Sequence, residues 1–160
     1  LEVCETINGS WGFNLKDRKH KSDKDLIHYL IKSAGYGSNF LLNVGPMPNG
    51  KIQPKHLSSL QRVGDWIDVY GETIYGSSKG PIPPNDSLVS TQKEGVVFLH
   101  LLGIIDDKLE IKDFNGKVSS IKNFINKEEI SFRVKKNTLV IDLQGQELDS
   151  ISTVLVVETR

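Results

Sequence analysis

The hydrophobic positions change their period once along this chain. Up to about residue 76 they fall into short apolar runs and helical stripes, and beyond about residue 88 they alternate. Val3 to Ile7 alternates briefly and then meets Asn8-Gly9-Ser10, a turn signal. The aromatic pair of Trp11-Gly12-Phe13-Asn14 follows. This predicts a strand that carries the carboxylate of Glu2 and breaks into an aromatic loop. Leu26, Ile27, Leu30, Ile31 and Ala34 share one helical face, with Ser22 and Asp25 spaced as a capping box and Gly35 as the stop. Asn39 to Val44 is nearly continuous in apolar residues and predicts a strand buried on both faces. Gly45 to Gly50 reads as a tight loop, and Pro54 suits the first turn of a second helix ending at Gly71. Its expected buried stripe is Leu57, Leu60, Gly64 and Ile67, with Trp66 and Tyr70 alongside.

Strand, helix, strand, helix in that order implies a parallel α/β arrangement. Residues 77–88 hold Gly80, Pro81, Pro83 and Pro84 without periodicity and read as a linker. After it come strand patterns at Val96–Leu102, Leu109–Ile111, Val118–Ile125, Ile130–Val134, Leu139–Leu143 and Ser152–Glu158. Short strands with turns between them point to an antiparallel β-sandwich over residues 89–160.

Composition narrows the function classes. Twenty basic and twenty acidic residues give zero formal charge, so there is no electrostatic case for nucleic acid or an anionic membrane surface. No apolar run is long enough for a membrane-spanning helix. Cys4 is the single cysteine, so no internal disulfide forms. His20, His28, His56 and His100 show no ligand spacing, and neither metal nor cofactor is implied. Gly35-Tyr36-Gly37 follows a helix and precedes a strand, the reverse of a dinucleotide loop. The charged segment of residues 15–25 reads as a solvated loop and helix start. Asn8-Gly9-Ser10 and Asn85-Asp86-Ser87 match the glycosylation triplet, a pattern that is common by chance. A carboxylate beside aromatic rings suits a sugar site, where the acid serves the glycosidic oxygen and the rings stack on the sugar.

Three stretches carry a family resemblance. Glu2-Val3-Cys4, Thr6-Ile7 and Ser10-Trp11-Gly12-Phe13-Asn14 resemble the "W-E-x-C-x-T-I-x-x-S-W-G-Y-N" stretch of alpha-L-fucosidases, glycoside hydrolase family twenty-nine. Asn39 to Pro46, followed by Asn49-Gly50, is similar to that family's "N-L-L-L-N-I-G-P-x-x-D-G". Gly64-x-Trp66 and Tyr70 to Gly76 are similar to its "G-x-W-L-x-x-N-G-E-A-I-Y". The resemblance covers residues 1–76, and beyond them it is one of arrangement.

It implies the C-terminal part of a (β/α)8-like barrel over 1–76, a linker over 77–88 and a β-sandwich over 89–160. It implies a retaining exo-alpha-L-fucosidase acting on fucosylated glycans, with Glu2 as general acid/base and Trp11 in substrate binding. The family's nucleophilic Asp and its sugar-binding His, Trp and Arg lie upstream, so the chain alone is expected to be inactive and to need the upstream barrel half as partner. Family members are secreted, periplasmic or lysosomal. Leu1 stands where the family has Trp, and the chain reads as a fragment. The alternative is a non-catalytic carbohydrate-binding or structural sandwich module, but residues 89–160 contain neither Trp nor Tyr.

Overall fold

The computed structural model of the chain describes residues 1–103 and 106–159. The first half is β1 (Glu2–Thr6), α1 (Asp23–Gly35), β2 (Asn39–Asn43) and α2 (Pro54–Tyr70), closed by a 3-10 turn at Gly71–Thr73. β1 and β2 pair in parallel, with Glu2 opposite Asn39 and Thr6 opposite Asn43. The second half adds β3 (Ser78–Lys79), β4 (Leu88–Lys93), β5 (Val96–Leu101), β6 (Lys108–Ile111), β7 (Val118–Asn123), β8 (Phe132–Lys135), β9 (Thr138–Asp142) and β10 (Thr153–Thr159). They form a five-stranded sheet in the order β3-β4-β5-β10-β7 and a three-stranded sheet in the order β6-β9-β8, antiparallel throughout.

Local chemistry explains the element ends. The Ser22 hydroxyl accepts from the Asp25 amide at 3.0 Å, and the Asp25 carboxylate accepts from the Ser22 amide at 3.1 Å. These bonds satisfy two donors that the first turn of α1 leaves free. The stop at the other end is Gly37, the left-handed residue with φ 72°, rather than Gly35. Gly35 is the last helical residue, and its lack of a side chain lets α1 approach β4: a Cβ there would lie 2.2 Å from Val89 Cγ1.

Two cores run through the molecule. The first lies between the two sheets and includes Leu99, Ile121, Leu139, Ile141, Leu155 and Val157. The second lies between the other face of the five-stranded sheet and the helices, with Ile7, Leu26, Ile31, Trp66, Phe98 and Val154. β5 and β10 are therefore covered on both faces, which is why their sequences are almost continuously apolar. The same reading fails for β2, whose residues alternate between exposed and partly buried, with Leu41 at 43% exposure. Only its helix side is covered, because within this chain its sheet holds two strands.

The face of α2 also differs from expectation. The buried residues are His56, Ser59, Val63, Trp66 and Tyr70, one position away from the expected stripe. Leu57 is exposed, and Leu60, Gly64 and Ile67 are partly buried. β4 carries no alternation that the sequence made visible: Leu88 enters one core and Val89 the other, while Ser90 and Thr91 are fully buried. The hairpin to β5 turns at Glu94 (φ 50°) and Gly95 (φ 82°), the two positive dihedrals of a type I′ turn.

Residues 77–88 are held in place. β3 joins the edge of the large sheet, the Gly80 amide donates to the Ser90 carbonyl at 2.9 Å, and the Ser90 hydroxyl bridges both backbone groups of Ile82 at 2.8 and 3.0 Å. Proteolysis requires local unfolding, so Lys79 is expected to resist trypsin longer than Lys16, Arg18 and Lys19 in the exposed segment after Asn14. Mass spectrometry of early fragments checks this. First cleavage at Lys79 would show the segment to be a loose tether.

Candidate functional site

Strand polarity decides what the first stretch can do. Glu2 enters β1 and the Ser10–Asn14 loop follows its carboxyl end. Four residue steps separate Glu2 from Thr6, about 13 Å along a strand. As expected of a strand that carries Glu2 and then breaks into the aromatic loop, Glu2 stands at the amino end of β1 and Trp11 beyond its carboxyl end. Side chains alternate across the sheet. Phe40 stacks on Tyr29 of α1, and Ile7 enters the core beneath the helices, so Val3, Glu5, Phe40 and Leu42 share the helix side. Glu2, Cys4, Thr6, Asn39, Leu41 and Asn43 face the opposite way. The Cys4 thiol lies 3.5 Å from the Glu2 carboxylate, both exposed.

Glu5 is engaged elsewhere. It accepts from the Thr6 amide at 2.8 Å and pairs with Lys21 at 3.1 Å. The Thr6 amide first, and then Lys21 against partial desolvation, hold its carboxyl below the ordinary range. An acid that stays ionised is a poor proton donor. Lys21 also donates to the Thr6 carbonyl at 2.8 Å, and its amide donates to the Ile7 carbonyl at 2.8 Å. Together with the bridge between Asn8 and His20, these bonds close the base of the excursion between residues 8 and 20.

The loop itself is fixed by the ends of both strands. The Thr6 hydroxyl lies 3.3 Å from the Ser10 carbonyl, and the Asn43 amide donates to the Trp11 carbonyl at 2.7 Å. Gly45 lies directly beneath the Gly12–Phe13 peptide: a Cβ there would be 2.5 Å from the Gly12 carbonyl carbon and 2.7 Å from the Phe13 nitrogen. The backbone is thus held at three successive peptides while the Trp11 side chain stays 55% exposed. Thr6, Asn43 and Gly45 were not singled out from the sequence as site residues. Their signal was the Asn-Val-Gly-Pro exit of an apolar run, read there as strand end and turn.

The histidines stand apart from this loop's surface. His28 Nε2 meets the Ile151 carbonyl at 2.7 Å and, with Lys24 on the Ser150 carbonyl, ties α1 to the sandwich. His56 is fully buried against His20, edge to face at 5.4 Å between ring centroids. Burial, and then the neighbouring His20, push the His56 imidazole down. His100 is fully buried on β5, and burial pushes it down to about 3. The Thr91 hydroxyl donates to the Thr73 carbonyl at 2.7 Å, so the 3.3 Å contact with His100 places the imidazole proton on Nε2. Among the described residues no three His, Cys, Asp or Glu converge as a metal site. No helix among them is long and apolar enough to cross a membrane. A groove of about 1020 Å³ lies on the helix side and is lined by Leu30, Phe40, Leu60, Gly64, Ile67 and Tyr75, away from Trp11.

Comparison with known proteins gives this geometry a setting. A sequence model described as alpha-L-fucosidase matches residues 1–72. Tissue alpha-L-fucosidase of Homo sapiens is 37% identical over 81 residues, covering 48% of this chain and 17% of the human protein. The Bos taurus tissue enzyme is 30% identical over 104 residues, covering 63% of this chain and 22% of its own length. Alpha-L-fucosidase isoenzyme 1 from Paenibacillus thiaminolyticus superposes with a TM-score of 0.88 at 26% identity, covering 99% of this chain and 39% of that one. The Thermotoga maritima alpha-fucosidase, solved in complex with fucose, gives 0.85 at 29% identity, with 98% and 39% covered. The chain thus spans about a fifth of these curated relatives and about two fifths of these solved structures. Family match, relatives and fold agree: this chain is similar to the C-terminal part of the alpha-L-fucosidases, which are glycoside hydrolases.

Proposed function

We propose that the chain is the C-terminal part of a retaining exo-alpha-L-fucosidase that removes terminal alpha-L-fucosyl residues from oligosaccharides or glycoconjugates. The observation that carries this reading is the Trp11 loop, clamped at the carboxyl end of a parallel strand with its ring left free. Parallel β/α barrels build their active sites at that end. An indole there suits the apolar face of a deoxysugar. Trp11 is then a wall of the sugar site. Residues 1–76 supply the last β/α units of the barrel, residues 77–88 connect, and residues 89–160 brace it as a sandwich. Three features support upstream barrel elements packing here: the free edge of β2, its exposed Leu41 and the half-covered Leu60, Gly64 and Ile67 of α2. The nucleophile comes from those elements.

The family resemblance puts the acid/base at Glu2. Strand polarity favours a second reading, in which Glu2 sits in the barrel interior near the end opposite the sugar site. One experiment separates the two. The complete protein and the 160-residue chain are assayed on aryl and natural fucosides. Turnover is expected from the complete protein and none from the chain alone. Glu2→Ala is expected to cost less than about tenfold, with no rescue by azide. A loss of about 10²–10⁴-fold on poor leaving groups would instead establish Glu2 as the acid/base, provided azide restored turnover as a fucosyl azide of retained configuration. A complete protein that hydrolyses no fucoside would sink the fucosidase reading itself.

A further inference from the structure

We propose that Asn43 is a positioning residue: its side-chain amide sets the orientation of the Trp11 wall of the sugar site. The inference rests on the reading of Trp11 given above. Asn43 ends β2 directly opposite Thr6, and both lie on the sheet face turned away from the helices. From there the Asn43 amide reaches across to the Trp11 carbonyl at 2.7 Å, joining β2 to the loop. Its own carbonyl accepts from the Ile7 amide at 3.4 Å, so the residue is anchored on β1 while it holds the loop. The neighbouring peptides are held by Thr6 and by the close approach of Gly45, so Asn43 controls the peptide that carries the indole. Among the described residues no side-chain hydrogen bond of Trp11 contributes, and the residue is 55% exposed. Its direction is therefore set through the backbone. A planar amide at the end of a strand is a short, stiff lever for this task, since it has two side-chain torsions and a fixed donor geometry. A carboxylate of the same shape has no N–H to donate, and its oxygen would face the Trp11 carbonyl oxygen.

The test has two arms. In the 160-residue chain carrying Trp66→Phe, Trp11 is the only tryptophan. Asn43→Ala and Asn43→Asp are expected to lower the fluorescence anisotropy of Trp11, and Asn43→Gln to recover part of it. Unchanged anisotropy in Asn43→Asp, with the far-UV spectrum retained, overturns the proposal. In the complete enzyme, Asn43→Asp is expected to raise KM about tenfold with kcat changed less than threefold, because a sugar wall acts on the bound substrate before and during reaction. Combined with Trp11→Ala, Asn43→Ala is expected to add less than twofold, since the two act as one unit. Full additivity would show that Asn43 works through something other than Trp11 and would overturn the proposal. Loss of anisotropy without any kinetic effect of Trp11→Ala also overturns it, and identifies the sugar-wall reading as the part that failed.

Discussion

Gly45→Ala is expected to cost the complete enzyme about a hundredfold in kcat/KM, with Gly12→Ala nearly silent beside it. The two glycines face each other across the same contact and differ in what a methyl group would meet. At Gly45 a Cβ would lie 2.5, 2.7 and 2.8 Å from the Gly12 carbonyl carbon, the Phe13 nitrogen and the Gly12 oxygen. These are backbone atoms held by the Thr6 and Asn43 hydrogen bonds, so no flexible side-chain tip can give way. Ordinary contact needs about 3.5 Å, and the loop must lift by about 1 Å. A displacement of about 1 Å in a substrate-positioning element costs on the order of 10²-fold in rate. Overpacking adds about 1–3 kcal/mol of destabilisation, read as a lower Tm. A Cβ at Gly12 meets nothing within 4 Å, and its φ is not in the left-handed range. The measurement is kcat/KM on an aryl fucoside for both variants. Equal, small losses would mean that the loop is not a fixed wall.

Acid should destabilise the protein well before its carboxylates titrate. His100 is neutral in the fold, with its pKa pushed from 6.5 to about 3 by complete burial. Unfolding frees it to take a proton, so between these values the unfolded state binds more protons than the native state. Stability from this group is fully present above about pH 6.5 and is lost as pH falls toward about 3. The slope approaches about 1.4 kcal/mol per pH unit, which gives a loss of about 2 kcal/mol between pH 7 and pH 5. His56, also lowered, acts in the same direction. The lowered carboxyls of Glu5 and Asp25 lose their contribution only below their ordinary values near 4, outside this window. Urea denaturation at pH 7, 6 and 5 reads the slope. His100→Leu should flatten it, because it removes the titrating group and only the Nε2–H bond to Thr91, which keeps its own bond to the Thr73 carbonyl. An unchanged slope in that variant would place the acid sensitivity elsewhere.

Much of the architecture was legible. The capping box at Ser22 and Asp25, Pro54 in the first turn of α2 and the change of period near residue 88 each depend on neighbours a few residues away. Local geometry of that kind survives without knowledge of the fold. The site was legible only as a motif. Residue order already shows that Glu2 enters β1 and Trp11 leaves it. It does not show which end of the strand carries a site, because that follows from the parallel pairing with β2 through α1.

Sequence alone thus determined the order of the helices and of the strands other than β3 and β4, most of their ends and the aromatic loop. Tertiary structure decided the rest. The buried stripe of α2 moved by one residue because helix side chains choose a face by what packs there, and Val63 and Trp66 share a core with Phe98 and Val154 from strands far along the chain. β2 lost its second buried face because burial needs a partner layer, which two strands cannot provide for themselves. Residues 77–88 became ordered through Ser90, a small polar residue whose hydroxyl gains value only once β3 and β4 lie side by side. Asn43 and Gly45 acquired their place in the same way. A donor and a missing side chain have no meaning along the chain until a loop 32 residues earlier is folded onto them.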